Sequence, residues 1–101
     1  MPWQEVNLET WATELGVDLY ELRQKDQLID QIVTTRADLG LTQTQLAKLV
    51  GVSQPRIAQI ENRVKIGTIK FDALFKILTT LGYEINIGTR RARRPDFSVA
   101  K

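Results

Sequence analysis

The sequence contains neither cysteine nor histidine among its 101 residues. Without cysteine the chain has no disulfides and no thiol chemistry, which fits a reducing cytoplasm. Without either residue, the usual zinc sites, histidine acid–base chemistry and the common nucleophilic triads are excluded. We therefore expect a protein that is not an enzyme, with no catalytic residues, no bound metal and no cofactor.

Long apolar runs are missing as well. A membrane-spanning helix needs about eighteen apolar residues in succession, and the N-terminal MPWQEVNLE has neither the basic nor the apolar region of a signal peptide. Apolar residues make up 43% of the chain and charged residues 26%, as in ordinary globular proteins. We expect one domain with tails, located in the cytoplasm, and no membrane partner.

The net charge of +2 conceals an uneven distribution. Residues 1–30 contain seven acids and two bases, whereas residues 31–101 contain twelve bases and five acids. An acidic N-terminal part joined to a basic C-terminal part predicts two different partners. Two solvated faces would give the same distribution.

Residues 41–62, LTQTQLAKLVGVSQPRIAQIEN, predict two short helices joined by a glycine turn. Thr42 and Gln45 match a capping box. Gly51 falls where a left-handed residue ends a helix at little steric cost, and Ser53 caps the next helix. The first helix then has three apolar residues at helical spacing, which predict its buried face: Leu46, Leu49 and Val50.

The second of these helices carries Pro55 in its first turn, where a missing N–H is harmless. Ile57 and Ile60 point one way, which leaves polar residues for the other faces: Gln54, Arg56, Gln59 and Arg63. A helix pair whose second member displays amides and a guanidinium is suited to reading the major groove of DNA.

The pattern resembles the helix-turn-helix of the Cro/CI-like (Xre) family of DNA-binding regulators. The matching positions are Gln43, Leu46, Ala47, Gly51, Val52, Ser53, Gln54, Ile57, Glu61 and Asn62. The resemblance is clearest over residues 29–82 and implies an all-α, lambda-repressor-like domain of about five helices. It also implies a partly buried pair of Arg36 and Glu61 that holds the first helix of the domain against the third.

Two further helices are predicted around the motif. The first covers residues 18–39, as one helix or as two merged helices, and is closed by Gly40. The second begins at residue 69 or 70 and ends at residue 81, with Thr68 as an alternative cap. We divide the chain into an acidic N-terminal arm or helix (1–24), the helix-turn-helix domain (25–82), a dimerisation strand (83–88) and a basic flexible tail (89–101).

The strand prediction rests on alternation. Tyr83, Ile85 and Ile87 alternate with polar residues after Gly82, and no other segment of the chain alternates to pair with them. An unpaired apolar edge favours aggregation. Antiparallel pairing with the same strand of a second copy, about a two-fold axis, removes that edge and predicts a homodimer.

The resemblance assigns DNA-binding roles to individual positions. Base readout is expected from Gln54, Pro55, Arg56 and Gln59, and phosphate contacts from Gln43, Ser53, Arg63 and Lys65. Glutamine can pair bidentately with adenine and arginine with guanine, each worth about 1–3 kcal/mol of discrimination. Pro55 stands where many relatives carry a polar residue, and it would contact a thymine methyl. Ordinary helix solubility is the alternative explanation for these polar side chains.

Both ends of the chain suggest additional partners. Trp3, Trp11 and Tyr20 predict a partner-binding arm, because aromatic residues anchor interfaces. Trp11 and Leu15 would instead pack on the domain's own core in the alternative interpretation. The segment GTRRARRPDFSVAK has four arginines in five residues, which suits phosphate or an acidic partner; a solvated tail is the alternative.

The long helix before the motif and the strand after it resemble the HigA-like and HipB-like antitoxins of toxin–antitoxin pairs. This resemblance implies a dimeric repressor that binds a palindromic operator on double-stranded DNA, autoregulates its operon and neutralises a toxin, often a basic ribonuclease that an acidic arm would suit. Two alternatives remain. One is a phage-type or restriction-controller regulator without a toxin, and the other is a protein-interaction or RNA-associated module.

Overall fold

A computed structural model describes residues 18–94 of the chain. The predicted short helix of the N-terminal arm, with Trp3 and Trp11, lies outside the described residues, as does the end of the basic tail. Within residues 18–94 the elements are, in order, helix α1 (Leu19–Asp38), α2 (Gln43–Val50), α3 (Gln54–Glu61), a 3-10 turn (Ile66–Thr68) and α4 (Phe71–Thr80). The all-helical class is confirmed for this part of the chain, where none of the helices is long and apolar enough to cross a bilayer.

Helix α1 is a single unbroken helix, the first of the two alternatives that the sequence allowed. The Asp18 carboxylate caps it by accepting from the backbone N–H of Tyr20 at 2.9 Å. Gly40 follows its last turn with φ of +69°, a conformation that costs glycine little. The helix continues without a break across residues 24 and 25, where the acidic arm was expected to give way to the DNA-binding domain.

The turn between α2 and α3 has the predicted caps. The Gln45 N–H donates to the Thr42 hydroxyl at 3.0 Å, and the Thr42 N–H donates to the Gln45 side chain at 2.8 Å. Gly51 has φ of +88°, and the Ser53 hydroxyl accepts from the N–H of Arg56 at 3.2 Å. The local hydrogen bonds therefore fix where both helices begin and where the first one ends.

All four helices contribute to one apolar core. Its buried members are Ile29, Ile32, Leu46, Ala47, Val50, Ile57, Ile60, Ile69, Leu74, Ile77 and Leu78. Leu49 is not among them, because it is 61% exposed. The prediction that Leu49 belongs to the buried face is wrong: the buried stripe of α2 runs through Leu46, Ala47 and Val50, which turns Leu49 toward solvent.

The start of α4 corrects a second expectation. The Thr68 hydroxyl donates to the carbonyl of Lys65 at 2.7 Å, inside the 3-10 turn, so Thr68 does not cap α4. The helix begins at Phe71 after Lys70, whose side chain makes no capping hydrogen bond. The negative charge of Asp72 in the first turn instead interacts favourably with the helix dipole.

Lys25 of α1 is a buried cation that the sequence did not single out. It is 3% exposed, and its ammonium donates to the carbonyl of Gly67 at 3.3 Å. The same ammonium lies 5.2 Å from the centre of the Phe71 ring and 3.8 Å from the carboxylate of Glu21. These contacts compensate the buried charge and attach the 3-10 turn to α1.

Residues 83–88 continue from α4 along the groove between α1 and α4. The Tyr83 hydroxyl is 2.7 Å from the hydroxyl of Thr35, Ile85 packs partly buried against the core, and Ile87 is 76% exposed. The groove has a volume of about 580 Å³, and its lining includes the apolar side chains of Leu28, Phe71, Phe75 and Leu78. Residues 18–94 of this single chain contain no strand, so strand pairing between two copies stays a prediction.

Replacing the two leucines of α2 separately tests which face of the helix is buried. Leu46→Ala should lower the free energy of unfolding by about 2–5 kcal/mol, since a cavity opens at a fully buried position. Leu49→Ala, the matched control in the same helix, should change it by less than about 0.5 kcal/mol. Urea denaturation followed by circular dichroism measures both, and equal losses for the two variants would contradict this packing.

Candidate nucleic-acid interface

Helix α3 has one face in the core and the other at the surface. Ile57 and Ile60 are buried on the inner face. Pro55 and Gln59 are exposed on the outer face, and Gln54 and Arg56 are half-buried beside them. The residues predicted for base readout are therefore all at least partly accessible on α3.

The predicted ion pair holds the C-terminal end of α3. The Arg36 guanidinium donates to the Glu61 carboxylate through Nε at 2.7 Å and through Nη2 at 2.9 Å. Its Nη1 donates to the carbonyl of Leu41 at 2.8 Å. The two side chains are 18% and 6% exposed, and hydrogen bonding to Glu61 raises the pKa of Arg36. The pair confirms the expectation that α1 is fastened to α3 at this position.

A row of side-chain amides extends this pair to the surface. Gln43 Nε2 donates to the same Glu61 carboxylate at 3.1 Å, and Gln54 Nε2 donates to Gln43 Oε1 at 2.9 Å. Gln43, predicted as a phosphate contact, thus lies between the buried acid and a residue predicted to read bases. The first residues of α2 and α3 are coupled by these bonds.

Arg63 has partners that the sequence did not reveal. Its guanidinium donates to the carboxylates of Asp26 and Asp30 on α1, and its Nη1 donates to the carbonyl of Glu61 at 3.0 Å. The backbone of Arg63 is left-handed, with φ of +58°. Two acids four positions apart on α1 were the available signal, since such residues lie on the same side of a helix. Because two carboxylates compensate its charge, Arg63 offers less positive potential to a phosphate than an isolated arginine would.

The remaining predicted contact residues are accessible. Ser53 and Lys65 are exposed, and Lys65 also has a left-handed backbone, with φ of +50°. Tyr20, predicted for the partner arm, is 72% exposed at the start of α1. The four arginines of the tail are exposed as well: Arg90, Arg91, Arg93 and Arg94.

Comparison with known proteins identifies the family. A family described as a helix-turn-helix domain matches residues 15–90. An uncharacterized HTH-type transcriptional regulator of Haemophilus influenzae is 32% identical over 91 residues, which is 90% of this chain and 88% of that protein. A putative antitoxin HigA2 of Mycobacterium tuberculosis is 35% identical over 76 residues, 74% of each chain. No solved structure gives a significant match.

The family match over residues 15–90 includes the capped helix pair, the core behind it and the Arg36–Glu61 pair. The chain therefore belongs to the helix-turn-helix family of transcriptional regulators.

Proposed function

We propose that this chain is a dimeric, sequence-specific DNA-binding repressor that is also the antitoxin of a toxin–antitoxin pair. It acts on the nucleoid in the cytoplasm, represses its own operon and neutralises a ribonuclease toxin. The main support is α3, which has Ile57 and Ile60 in the core and its polar side chains on the accessible face. That arrangement is the one by which a recognition helix enters the major groove.

Base readout comes from the outer face of α3. Arg56 reads guanine and Gln59 reads adenine, because their donor and acceptor groups match the major-groove edges of these bases. Gln54 reads a further base from the start of the helix, and Pro55 contacts a thymine methyl. The exposed position of Gln59 and the accessible first turn support these assignments.

Phosphate contacts position the helix on the duplex without reading sequence. Ser53 and Lys65 lie exposed before and after α3, and the N-terminus of α2 at Gln43 offers backbone N–H groups to a phosphate. Arg63 contributes mainly by holding the loop after α3 against Asp26 and Asp30. The exposed arginines of the tail add further positive charge.

A second copy supplies the two-fold symmetry that a palindromic operator requires. The segment with Tyr83, Ile85 and Ile87 pairs with the same segment of the partner. Ile87, a large apolar side chain 76% exposed at the edge of the apolar groove, supports this contact. Tyr83 contributes its ring, since its hydroxyl is already hydrogen-bonded to Thr35 of its own chain.

The antitoxin role is supported by the name of one relative and by the charge of the N-terminal part. The Mycobacterium tuberculosis protein is named a putative antitoxin, and residues 1–30 have seven acids against two bases. Asp26 and Asp30 are paired with Arg63, so the negative charge offered to a partner comes from the acids of residues 1–21. Those acids, with Trp3, Trp11 and Tyr20 as anchors, suit a basic ribonuclease. The second candidate is a phage-type or restriction-controller regulator without a toxin, and the name of the Haemophilus influenzae relative, which mentions only transcriptional regulation, favours it.

The DNA-binding proposal predicts different effects for two exposed residues. Gln59→Ala should remove the preference at one base position in each half-site, a loss of about 1–3 kcal/mol of discrimination. Lys65→Ala should weaken binding to all sequences. It should also reduce the slope of log K against log salt concentration by about one, because one phosphate contact is lost. Selection from a randomised duplex library, followed by anisotropy titrations at several salt concentrations, measures both. Wild-type protein that shows no sequence preference at any salt concentration would overturn the proposal.

The dimer proposal predicts that Ile87→Asp gives a monomer. A carboxylate at this exposed position leaves the fold of the chain intact but cannot be buried between two copies without a large desolvation cost. Multi-angle light scattering gives the mass, and circular dichroism verifies folding. Asn86→Asp, which adds the same charge at the neighbouring exposed position, should remain dimeric. If Ile87→Asp is also dimeric, the segment is not the dimerisation element.

The antitoxin proposal is tested by co-expression with the product of the adjacent reading frame. Wild-type protein should relieve the growth arrest that this product causes and should co-purify with it. The double variant Trp11→Ala/Tyr20→Ala should lose both effects, whereas Gln59→Ala, changed only on the DNA side, should retain them. A neighbouring product that causes no growth arrest and forms no complex would favour the regulator without a toxin.

A further inference from the structure

We propose that the groove between α1, α4 and residues 83–88 is the docking site for the N-terminal arm of the same chain, and that Trp11 is the side chain that enters it. The inference goes beyond the proposed function, because the docking involves neither DNA nor a second protein. Where the arm also anchors a toxin, as proposed above, the groove and the toxin compete for Trp11.

The groove offers an apolar surface that the described residues leave partly uncovered. The rings of Phe71 and Phe75 stack with their centroids 5.9 Å apart, and both rings, like Leu28, are only half-buried. Within residues 18–94, Glu84 is the one charged residue of the lining. A groove of about 580 Å³ with such walls suits a large aromatic side chain that has one polar edge, as tryptophan has.

The groove extends along α1 toward the end where the arm begins. The start of α4 lies at the level of Lys25, whose ammonium is 5.2 Å from the centre of the Phe71 ring. The Tyr83 hydroxyl is hydrogen-bonded to Thr35, which is about 15 Å further along the helix axis. Because the residues up to Gly88 line the same groove as Phe71, the chain after Tyr83 turns back toward the first turns of α1.

The arm is long enough to reach this groove. Trp11 precedes Asp18, the N-cap of α1, by seven residues, which span up to about 23 Å when extended. Leu28, on the groove wall, lies about 15 Å from Asp18 along the helix axis. Gly16 gives the connecting backbone the freedom to fold back. So short a tether raises the effective concentration of the arm to about the millimolar range, which favours it over the arm of a second copy.

Charge favours the same placement. Residues 1–17 contain three acids and no base. Shortly after Gly88 come four arginines that have no ion-pair partner within residues 18–94: Arg90, Arg91, Arg93 and Arg94. An acidic arm in the groove lies near these arginines, and their attraction adds to the burial of Trp11. Salt weakens this contribution, because the arginines are exposed.

Tryptophan fluorescence of the full-length protein tests the docking directly. The chain has two tryptophans, so Trp3→Phe makes Trp11 the sole reporter. In this background the emission should be shifted to the blue relative to the same protein unfolded in urea. The acrylamide quenching constant should be several-fold smaller than in the unfolded chain, since the docked ring is shielded from solvent.

Two changes at the groove should release the ring. Phe75→Ala removes an aromatic wall, and Arg90→Glu/Arg91→Glu replaces attraction for the arm by repulsion at exposed positions that leave the fold intact. Both should move the Trp11 emission to the red and raise the quenching constant. Leu49→Ala, which removes an exposed apolar side chain from α2, should change neither. Circular dichroism verifies folding, and the arginine variant decides alone if Phe75→Ala does not fold.

A mixing experiment identifies the chain that provides the groove. The Trp3→Phe protein is refolded from urea together with an excess of a tryptophan-free chain that carries Phe75→Ala. Unchanged Trp11 emission supports docking within one chain, whereas a red shift assigns the groove to a second copy and overturns the proposal. Emission equal to that of the unfolded chain, or emission that no groove variant changes, would also overturn it. A failure of the proposed function is distinguishable, because these measurements need neither DNA nor a toxin.

Discussion

The ion pair between Arg36 and Glu61 is the constraint on which the geometry of the DNA-facing surface depends. Glu61 is almost completely buried, so its charge is tolerable only because a guanidinium donates two hydrogen bonds to it. Arg36 also donates to the carbonyl of Leu41, the residue before the N-cap of α2. One guanidinium therefore fixes three segments relative to one another: the C-terminal end of α3, the residues just before α2 and the C-terminal part of α1.

This pair is better understood as a source of geometry than of stability. Desolvating two charges costs about as much as their attraction returns, and the favourable free energy of folding comes mainly from the core that includes Ile32, Ile57 and Leu46. Arg63 also joins the end of α3 to α1, through ion pairs that are more exposed and therefore contribute less energy. Its two carboxylate partners hold a left-handed residue in place directly after the helix C-cap.

The sequence predicted the helix caps and the turn, because these features depend on residues that are close together in the chain. The capping box, the left-handed glycine after α2 and the Ser53 cap are encoded within a few positions, and the family resemblance supplied Arg36 and Glu61. The sequence could not predict what depends on distant packing. Whether Leu49 is buried depends on the rotation of α2 against the other helices. The partners that Lys25 and Arg63 find on other elements, Gly67, Asp26 and Asp30, lie 33 or more positions away along the chain. The direction of the amide hydrogen bonds likewise required the position of Glu61 in space.

The unbroken length of α1 bears on the proposal that the chain binds DNA and a second partner together. The sixteen positions from Tyr20 to Arg36 correspond to about 24 Å along the helix axis. The Debye length at physiological ionic strength is about 8 Å, so a charged molecule at the Tyr20 end is electrostatically screened from the Arg36 end. The helix acts as a spacer: occupancy of one end leaves the field at the other unchanged. Any communication between the two ends has to pass through the packing of the core.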